Sequence, residues 1–504
     1  MTDYISKKGL NFFHNIWQKK FYILLIWFVM FGTYFYFDGP FKNAPIKTFL
    51  IIGGIFTFLS LVNMKLYNKI FSIILFTGLV FCVYTPNMDS PDENFHYSRA
   101  LYISDGHLYL PSSVEEMKVS SDISEVEGEF KKPLLQTELE DKQVSDKKVV
   151  YSNLGNTNGY SFVSYLPQTL GIILARILHL SVFASIFLGR FFNLLVFALL
   201  VRLAVKKSGD KQLFFSLLAI IPINIYIAAS FNQDAFANGL IFLVIGLFLS
   251  YFEKDKISNR DILSYSLLCI LIAFSKLPYV LLVCLLAFLP KEKLNKKQYL
   301  LIAGSILMVA LTSVIWLKVT SGINATVVHP NPAVNPMNKI IFTLKHFSDF
   351  TRMMIKEVVN FIPFKLQSLF TFGWLTYDAK AFMWFYLIFI SVTLVVLPNG
   401  KPIKTFAKFG VVLVSMGIVF GILMTAYLMW GEVADISIKG IQGRYFAGIF
   451  ILLGCISNFS RRLFWNQNRT EPLEYYQNEV EYTCTYIATL FILVSIIATI
   501  SQYY

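Results

Sequence analysis

A polytopic α-helical membrane protein is the fold class that the sequence predicts, and three observations carry that expectation. The chain of 504 residues is 56% hydrophobic and only 15% charged, whereas soluble domains carry about a quarter charged residues. Apolar runs of about 17–22 residues recur from end to end, the length that crosses a bilayer. Lysines and arginines gather in the short connections between the runs, so the net charge of +13 reports sidedness under the positive-inside rule and not nucleic-acid binding. The expectation is therefore an all-α chain with about thirteen transmembrane helices and further helices lying on the outer face.

The elements follow in order. The opening 20 residues are polar and basic, without the apolar core and small-residue cleavage site of a secretory signal, so the first span reads as a retained anchor. Lys7, Lys8, Lys19 and Lys20 place the N-terminus in the cytoplasm. Spans one to three (about 21–37, 46–64 and 69–85) make up a first region, 1–85. A long outer segment, 86–183, follows; its middle, 112–150, is charged and is either a small folded insertion or a mobile loop. Residues 160–181, interrupted by Pro167, read as amphipathic helices on the outer membrane surface.

Residues 184–319 hold spans four to nine. Spans five (about 212–229) and six (about 236–252) turn at Ser230-Phe231-Asn232-Gln233-Asp234, and 262–290 reads as a hairpin of two short spans broken at Ser275-Lys276-Leu277-Pro278. A second outer loop, 320–380, is rich in Asn and Pro at 330–338 and then amphipathic; spans ten to thirteen fill 381–504, with Arg461 and Arg462 marking the inner end of span twelve. No internal repeat at a solenoid period is present. The five cysteines lie in or beside apolar runs without metal-site spacing, and they read as small core residues.

Polar residues at the edge of the apolar zone are few: Asp92, Glu93, His96 and Arg99; Arg190; Asn232 and Asp234; Lys276; Gln442 and Arg444. In this topology all five groups reach the outer face. Charges near a bilayer are costly and point to function. If 92–99 is helical, positions 92, 96 and 99 share a face. Each group also has a plainer reading: a helix cap for Asp92 and for Asn232 with Asp234, snorkelling for Arg190, a solvated tip for Lys276, and an interfacial anchor for Arg444. A metal at Asp92, Glu93 and His96 fits in ligand type, but the spacing matches no metal motif, so no metal or other cofactor is expected.

A carboxylate beside outer-face cations fits transfer of a sugar from a lipid-linked phosphate to a hydroxyl. The attacking hydroxyl loses a proton, which a carboxylate can take, and the leaving lipid phosphate needs cations. Arg190, Lys276 and Arg444 are the candidates for the phosphate. His96, Arg99, Asn193, Asn232, Asp234, Gln442 and Tyr445 are candidates for the substrate pocket.

The motifs resemble the bacterial membrane-protein family catalogued as domain of unknown function 2142, in the GT-C glycosyltransferase superfamily. The resemblance is carried by Pro91-Asp92-Glu93-Asn94-Phe95-His96-Tyr97-Ser98-Arg99-Ala100 with Ser104-Asp105-Gly106, and by Tyr165-Leu166-Pro167-Gln168 with Leu188-Gly189-Arg190-Phe191-Phe192-Asn193. It continues in Ala229-Ser230-Phe231-Asn232-Gln233-Asp234-Ala235, Ser275-Lys276-Leu277-Pro278-Tyr279 and Gln442-Gly443-Arg444-Tyr445-Phe446. The usual family form has Pro-Ala after the Asp-Glu; here it is Asn94-Phe95. The resemblance implies a GT-C-type fold, a polyprenyl-phosphate-sugar donor, an inverting reaction outside the cytoplasm, and a catalytic carboxylate in the first large outer loop. On this chain that carboxylate is Asp92, with Glu93 second. The location implies an envelope polysaccharide or teichoic acid as acceptor. The competing expectations are a transporter or flippase of a lipid-linked saccharide and a non-catalytic scaffold.

Overall fold

The computed structural model describes residues 16–36, 46–327, 334–365, 367–374, 376–378, 380–397, 399–457 and 474–504. Lys7, Lys8, Arg461 and Arg462, used above for sidedness, and residues 330–333 of the Asn- and Pro-rich stretch lie outside the described residues.

Each apolar run forms a helix, because the backbone N–H and C=O groups of such a run must pair with one another. The first three are α1 (Lys20–Tyr36), α2 (Ile46–Leu61) and α3 (Leu66–Tyr84); α4 (Glu93–Ser104), α5 (Asp122–Gly128) and α6 (Leu166–Ile177) belong to the next segment. Then come α7 (Val182–Lys207), α8 (Gln212–Ala219), α9 (Pro222–Ala228), α10 (Asp234–Ser250) and α11 (Asn259–Ala273). The remainder are α12 (Lys296–Val327), α13 (Pro336–Lys345), α14 (Phe347–Lys365), α15 (Lys380–Val396), α16 (Thr405–Trp430), α17 (Ala447–Ile456) and α18 (Glu474–Tyr503).

Among the described residues, five helices are long and apolar enough to cross a membrane: α3, α7, α12, α16 and α18. A sixth results if α8 and α9, bent by 74° at their junction, count as one broken span. The bend has a local cause. Pro222 opens α9 and forces Ile221 into an extended conformation, which ends the preceding helix. The remaining apolar helices have 10–17 residues, so length alone supports five or six crossings where the sequence pattern counts about thirteen.

The hairpin expected over 262–290 is present in altered form. Its first arm, α11, opens on a reciprocal cap in which the Ser258 side chain accepts from the Asp261 N–H and the Asp261 side chain accepts from the Ser258 N–H. Its second arm, Leu277–Phe288, winds as a 3-10 helix of 12 residues led in by Pro278.

α7 is the organising element, packed by α3, α6 and α10. The approach to α6 is close: a Cβ on Gly171 would meet the backbone of Leu188 and Gly189. The large apolar core contains buried Ile70, Ile74, Leu194, Phe197, Val201, Ile241, Ile245 and Phe248. The five cysteines are free; four are buried and Cys284 is half-buried.

The charged 112–150 stretch is folded. Strands β1 (Lys118–Ser120) and β2 (Lys148–Val150) pair antiparallel, with Val119 opposite Val149. Met117, Val119, Ile123, Val126, Leu134 and Leu139 bury against Tyr97 and Leu101 of α4 in a second core. A second short ribbon, β3 (Thr371–Phe372) with β4 (Tyr377–Asp378), lies between α14 and α15. These two ribbons are the departure from an all-α chain among the described residues.

Candidate functional site

The turn between α3 and α4 sets the site. Asp92 occupies the N-cap position of α4 with φ 61, a left-handed conformation rare for a non-glycine residue and tolerated best by Asp and Asn. Its side chain caps nothing, so the capping reading of Asp92 is not what the geometry shows. Among the described residues its carboxylate accepts no hydrogen bond and stays partly exposed. Burial holds the Asp92 carboxyl above its usual range, against the pull of the Arg444 guanidinium and with the push of the Asp234 carboxylate.

Glu93, one residue on, has a different environment. Its two oxygens face Arg190 Nε and Nη2 at 2.8 and 2.9 Å, and both side chains are 0% exposed. The same oxygens accept from the backbone N–H groups of Phe231 and Ser90. Arg190 Nη1 donates to the carbonyls of Cys82 and Thr85, and Nη2 also donates to that of Pro86. All five guanidinium N–H groups are thereby used. This corrects the expected roles of the pair: Arg190 has no donor left for a phosphate, and Glu93 is sealed from any substrate proton. Together they fasten the 82–93 turn to α7.

Two further cations share one carboxylate. Lys276, at the head of the 3-10 arm, lies 2.9 Å from Asp234 Oδ1 and 3.3 Å from Asn238 Oδ1. Arg444 Nε donates to Asp234 Oδ2 at 3.2 Å. Asp234 therefore bridges two buried cations, and Gln233 donates to its Oδ1 as well. The Tyr445 ring underlies both, 5.2 Å from Lys276 Nζ and 5.3 Å from the Arg444 guanidinium carbon. The fields of Asp92, Asp234 and Arg444 all reach Tyr160 and Tyr445, and Lys276 contacts Asp234, which places the four charges in one cluster.

His96 completes one wall. Its Nδ1 lies 2.9 Å from the Tyr165 hydroxyl, with the Tyr160 and Tyr165 rings around it. Burial pushes its pKa down to about 4 against the field of Asp234, so it is neutral at physiological pH. Arg99 donates Nη2 to the Leu108 carbonyl, while its buried Nε and Nη1 have no partner among the described residues. Burial lowers the Arg99 pKa to about 10, which leaves it charged.

The two asparagines of the expected pocket donate to backbone carbonyls. Asn193 Nδ2 donates to the carbonyls of Ser230 and Asn232. Asn232 Nδ2 donates to the Pro91 carbonyl, and its Oδ1 accepts from the Asp234 N–H two residues on. They hold the 230–234 turn against the Asp92 turn. Gln442 is half-buried at the head of the Gly443–Phe446 turn, and no hydrogen bond of its side chain is seen among the described residues.

Tyr160 and Asn238 join the site without a mark in the sequence reading, and Tyr165 joins it from the Tyr165-Leu166-Pro167-Gln168 motif. Asn238 was within reach of sequence reasoning, since it follows Asp234 by one helical turn. Tyr160 was not, because 27 tyrosines are spread along the chain. Among the described residues no three His, Cys, Asp or Glu side chains form a group that could hold a metal ion.

A family model described as predicted membrane protein matches residues 75–453, which include every residue of this cluster. The chain belongs to the family of domain of unknown function 2142. Family membership thus covers α3 from Leu75 onward through most of α17, and leaves α1, α2 and α18 outside the match. No curated protein and no solved structure matches the chain.

Proposed function

We propose that this membrane protein is an inverting glycosyltransferase of the GT-C type, with about thirteen spans and its site on the extracytoplasmic side. It moves a sugar from a polyprenyl-phosphate donor to a cell-envelope glycan or teichoic acid. The observation that carries this reading is the Asp92 carboxylate, without a hydrogen-bond partner among the described residues and fixed in a left-handed turn beside the Lys276–Asp234–Arg444 cluster.

Asp92 takes the proton of the attacking acceptor hydroxyl. The new bond forms from that oxygen to the anomeric carbon, on the face opposite the leaving group. The old bond from the anomeric carbon to the phosphate oxygen breaks, and its electron pair leaves with polyprenyl phosphate. Lys276 and Arg444 face the growing phosphate charge. The charges match this sequence. Before reaction, two cations balance Asp92 and Asp234. Once Asp92 is protonated the cluster carries one net positive charge, at the moment the leaving phosphate gains a negative one. Arg190 and Glu93 position the Asp92 turn.

The test uses purified protein in lipid, a panel of polyprenyl-phosphate sugars and crude envelope acceptor. Sugar transfer and free polyprenyl phosphate should appear together with at least one donor. Movement of donor across sealed vesicles with no new glycosidic bond would point to the flippase reading instead.

A further inference from the structure

Beside the Asp92 turn lies a second group of side chains that the reaction above does not use. Trp374, from the β3–β4 turn, donates its Nε1 proton to the Met88 carbonyl at 3.1 Å, four residues before Asp92. Phe95 of α4 and Phe130, just after α5, meet the indole edge-to-face, with ring centroids at 6.4 and 6.2 Å. Trp374 and Phe95 are half-buried and Phe130 is 38% exposed. Three partly exposed aromatic rings from three segments thus meet beside the turn that carries the candidate base.

Polar groups flank them. Glu127, one turn before Phe130, is exposed, and its Oε1 accepts from the Tyr151 hydroxyl at 2.5 Å and from Asn94 Nδ2 at 3.1 Å. Those two bonds fix the carboxylate in place, and no hydrogen bond of its Oε2 is seen among the described residues. Asn94, next to Phe95, is 8% exposed, and its Oδ1 has no partner among the described residues. Asn94 and Phe95 are also where this chain departs from the usual family form.

Aromatic rings that can lie against C–H faces, beside a fixed carboxylate that accepts from hydroxyls, match a carbohydrate in both its apolar and polar aspects. We infer that Phe95, Phe130 and Trp374, with Glu127, form a saccharide-binding subsite that seats the acceptor glycan beside Asp92. Its role as the acceptor seat rests on the transferase reading; saccharide binding itself does not. A bilayer surface is the rival occupant, since Trp374 and Lys131 (5.9 Å from its ring) are a pair found at interfaces. The exposed carboxylate of Glu127 and the charged fold of 112–150 around it favour the sugar.

The experiment titrates full-length protein in phosphatidylcholine nanodiscs with chitopentaose, cellopentaose and maltopentaose. At least one should bind, with affinity weakened about three- to tenfold in Trp374→Ala and in Phe130→Ala. Phe130 is exposed, so its truncation keeps the test open should Trp374→Ala fold poorly. Absence of binding by all three sugars, or unchanged affinity in both aromatic variants, overturns the subsite. So does stronger quenching by brominated lipid in wild type than in Trp374→Phe, which would put the indole in the bilayer. Binding without transfer of any donor sugar would leave the subsite and remove the transferase reading. Transfer insensitive to both aromatic variants would do the reverse.

Discussion

Arg190 and Arg444 are both buried arginines at the edge of apolar segments, and the sequence offers no means of telling them apart. Their surroundings do. Arg190 has all five N–H groups directed to Glu93 and three backbone carbonyls, whereas Arg444 shares one carboxylate with Lys276. Removing one member of a sealed ion pair leaves the other charge buried and uncompensated, at a cost of about 3–5 kcal/mol. Arg190→Met should therefore lower the unfolding midpoint strongly, with the Glu93→Met/Arg190→Met double variant recovering part of the loss. Thermal unfolding in detergent checks this; an Arg190→Met protein of normal stability with lost turnover would return Arg190 to the substrate. At this scale the sequence made the charges legible, because so few lie near apolar runs. It could not show which were already paired, since pairing depends on contacts such as Glu93 to Arg190, 97 positions apart.

The elements were legible as apolar runs, and their ends less so. The α8–α9 break follows from Pro222, which a helical pattern over 212–229 passes through. The 112–150 insertion was ambiguous because charge dominates its composition; its six core residues are spread too widely to announce a fold. Packing of α6 on α7 gives an element-scale prediction. A methyl at Gly171 would press on the backbone of Leu188 and Gly189, which has no rotamer to escape by. Gly171→Ala should cost about 1–3 kcal/mol through overpacking. Gly304→Ala on α12, where a Cβ meets nothing within 4 Å, should be neutral or stabilising by up to about 1 kcal/mol. Unfolding midpoints of the two variants side by side check the contrast; equal effects would mean that α6 and α7 do not touch as described.

At the scale of the whole molecule, the site is assembled from segments that are distant in the chain. Asp92 comes from the α3–α4 turn, Asp234 from the head of α10, Lys276 from the hairpin and Arg444 from the approach to α17. The frame extends beyond the family match: the Tyr503 hydroxyl of α18 donates to Asp89 Oδ2 at 2.8 Å, three residues before Asp92. Burial pushes the Asp89 carboxyl up to about 6, with the Tyr503 hydroxyl pulling the other way. The sequence located the clustered charges but not this tie, because a tyrosine at the end of an apolar helix carries no mark of its partner.

The central claim is that Asp92 is the base, and turnover together with stability of Asp92→Asn tests it most directly. Its carboxyl titrates above the usual range because of burial. The folded state therefore holds its proton more tightly than the unfolded chain, and as pH rises through that raised value, folding loses stability. Asn removes this cost. On an active donor, transfer should fall about 10²–10⁴-fold, while the unfolding midpoint at pH 7 stays equal to or above that of wild type. The wild-type rate should also decline on the acid side at a pH above the ordinary aspartate range. Transfer that survives Asp92→Asn in well-folded protein would contradict the account.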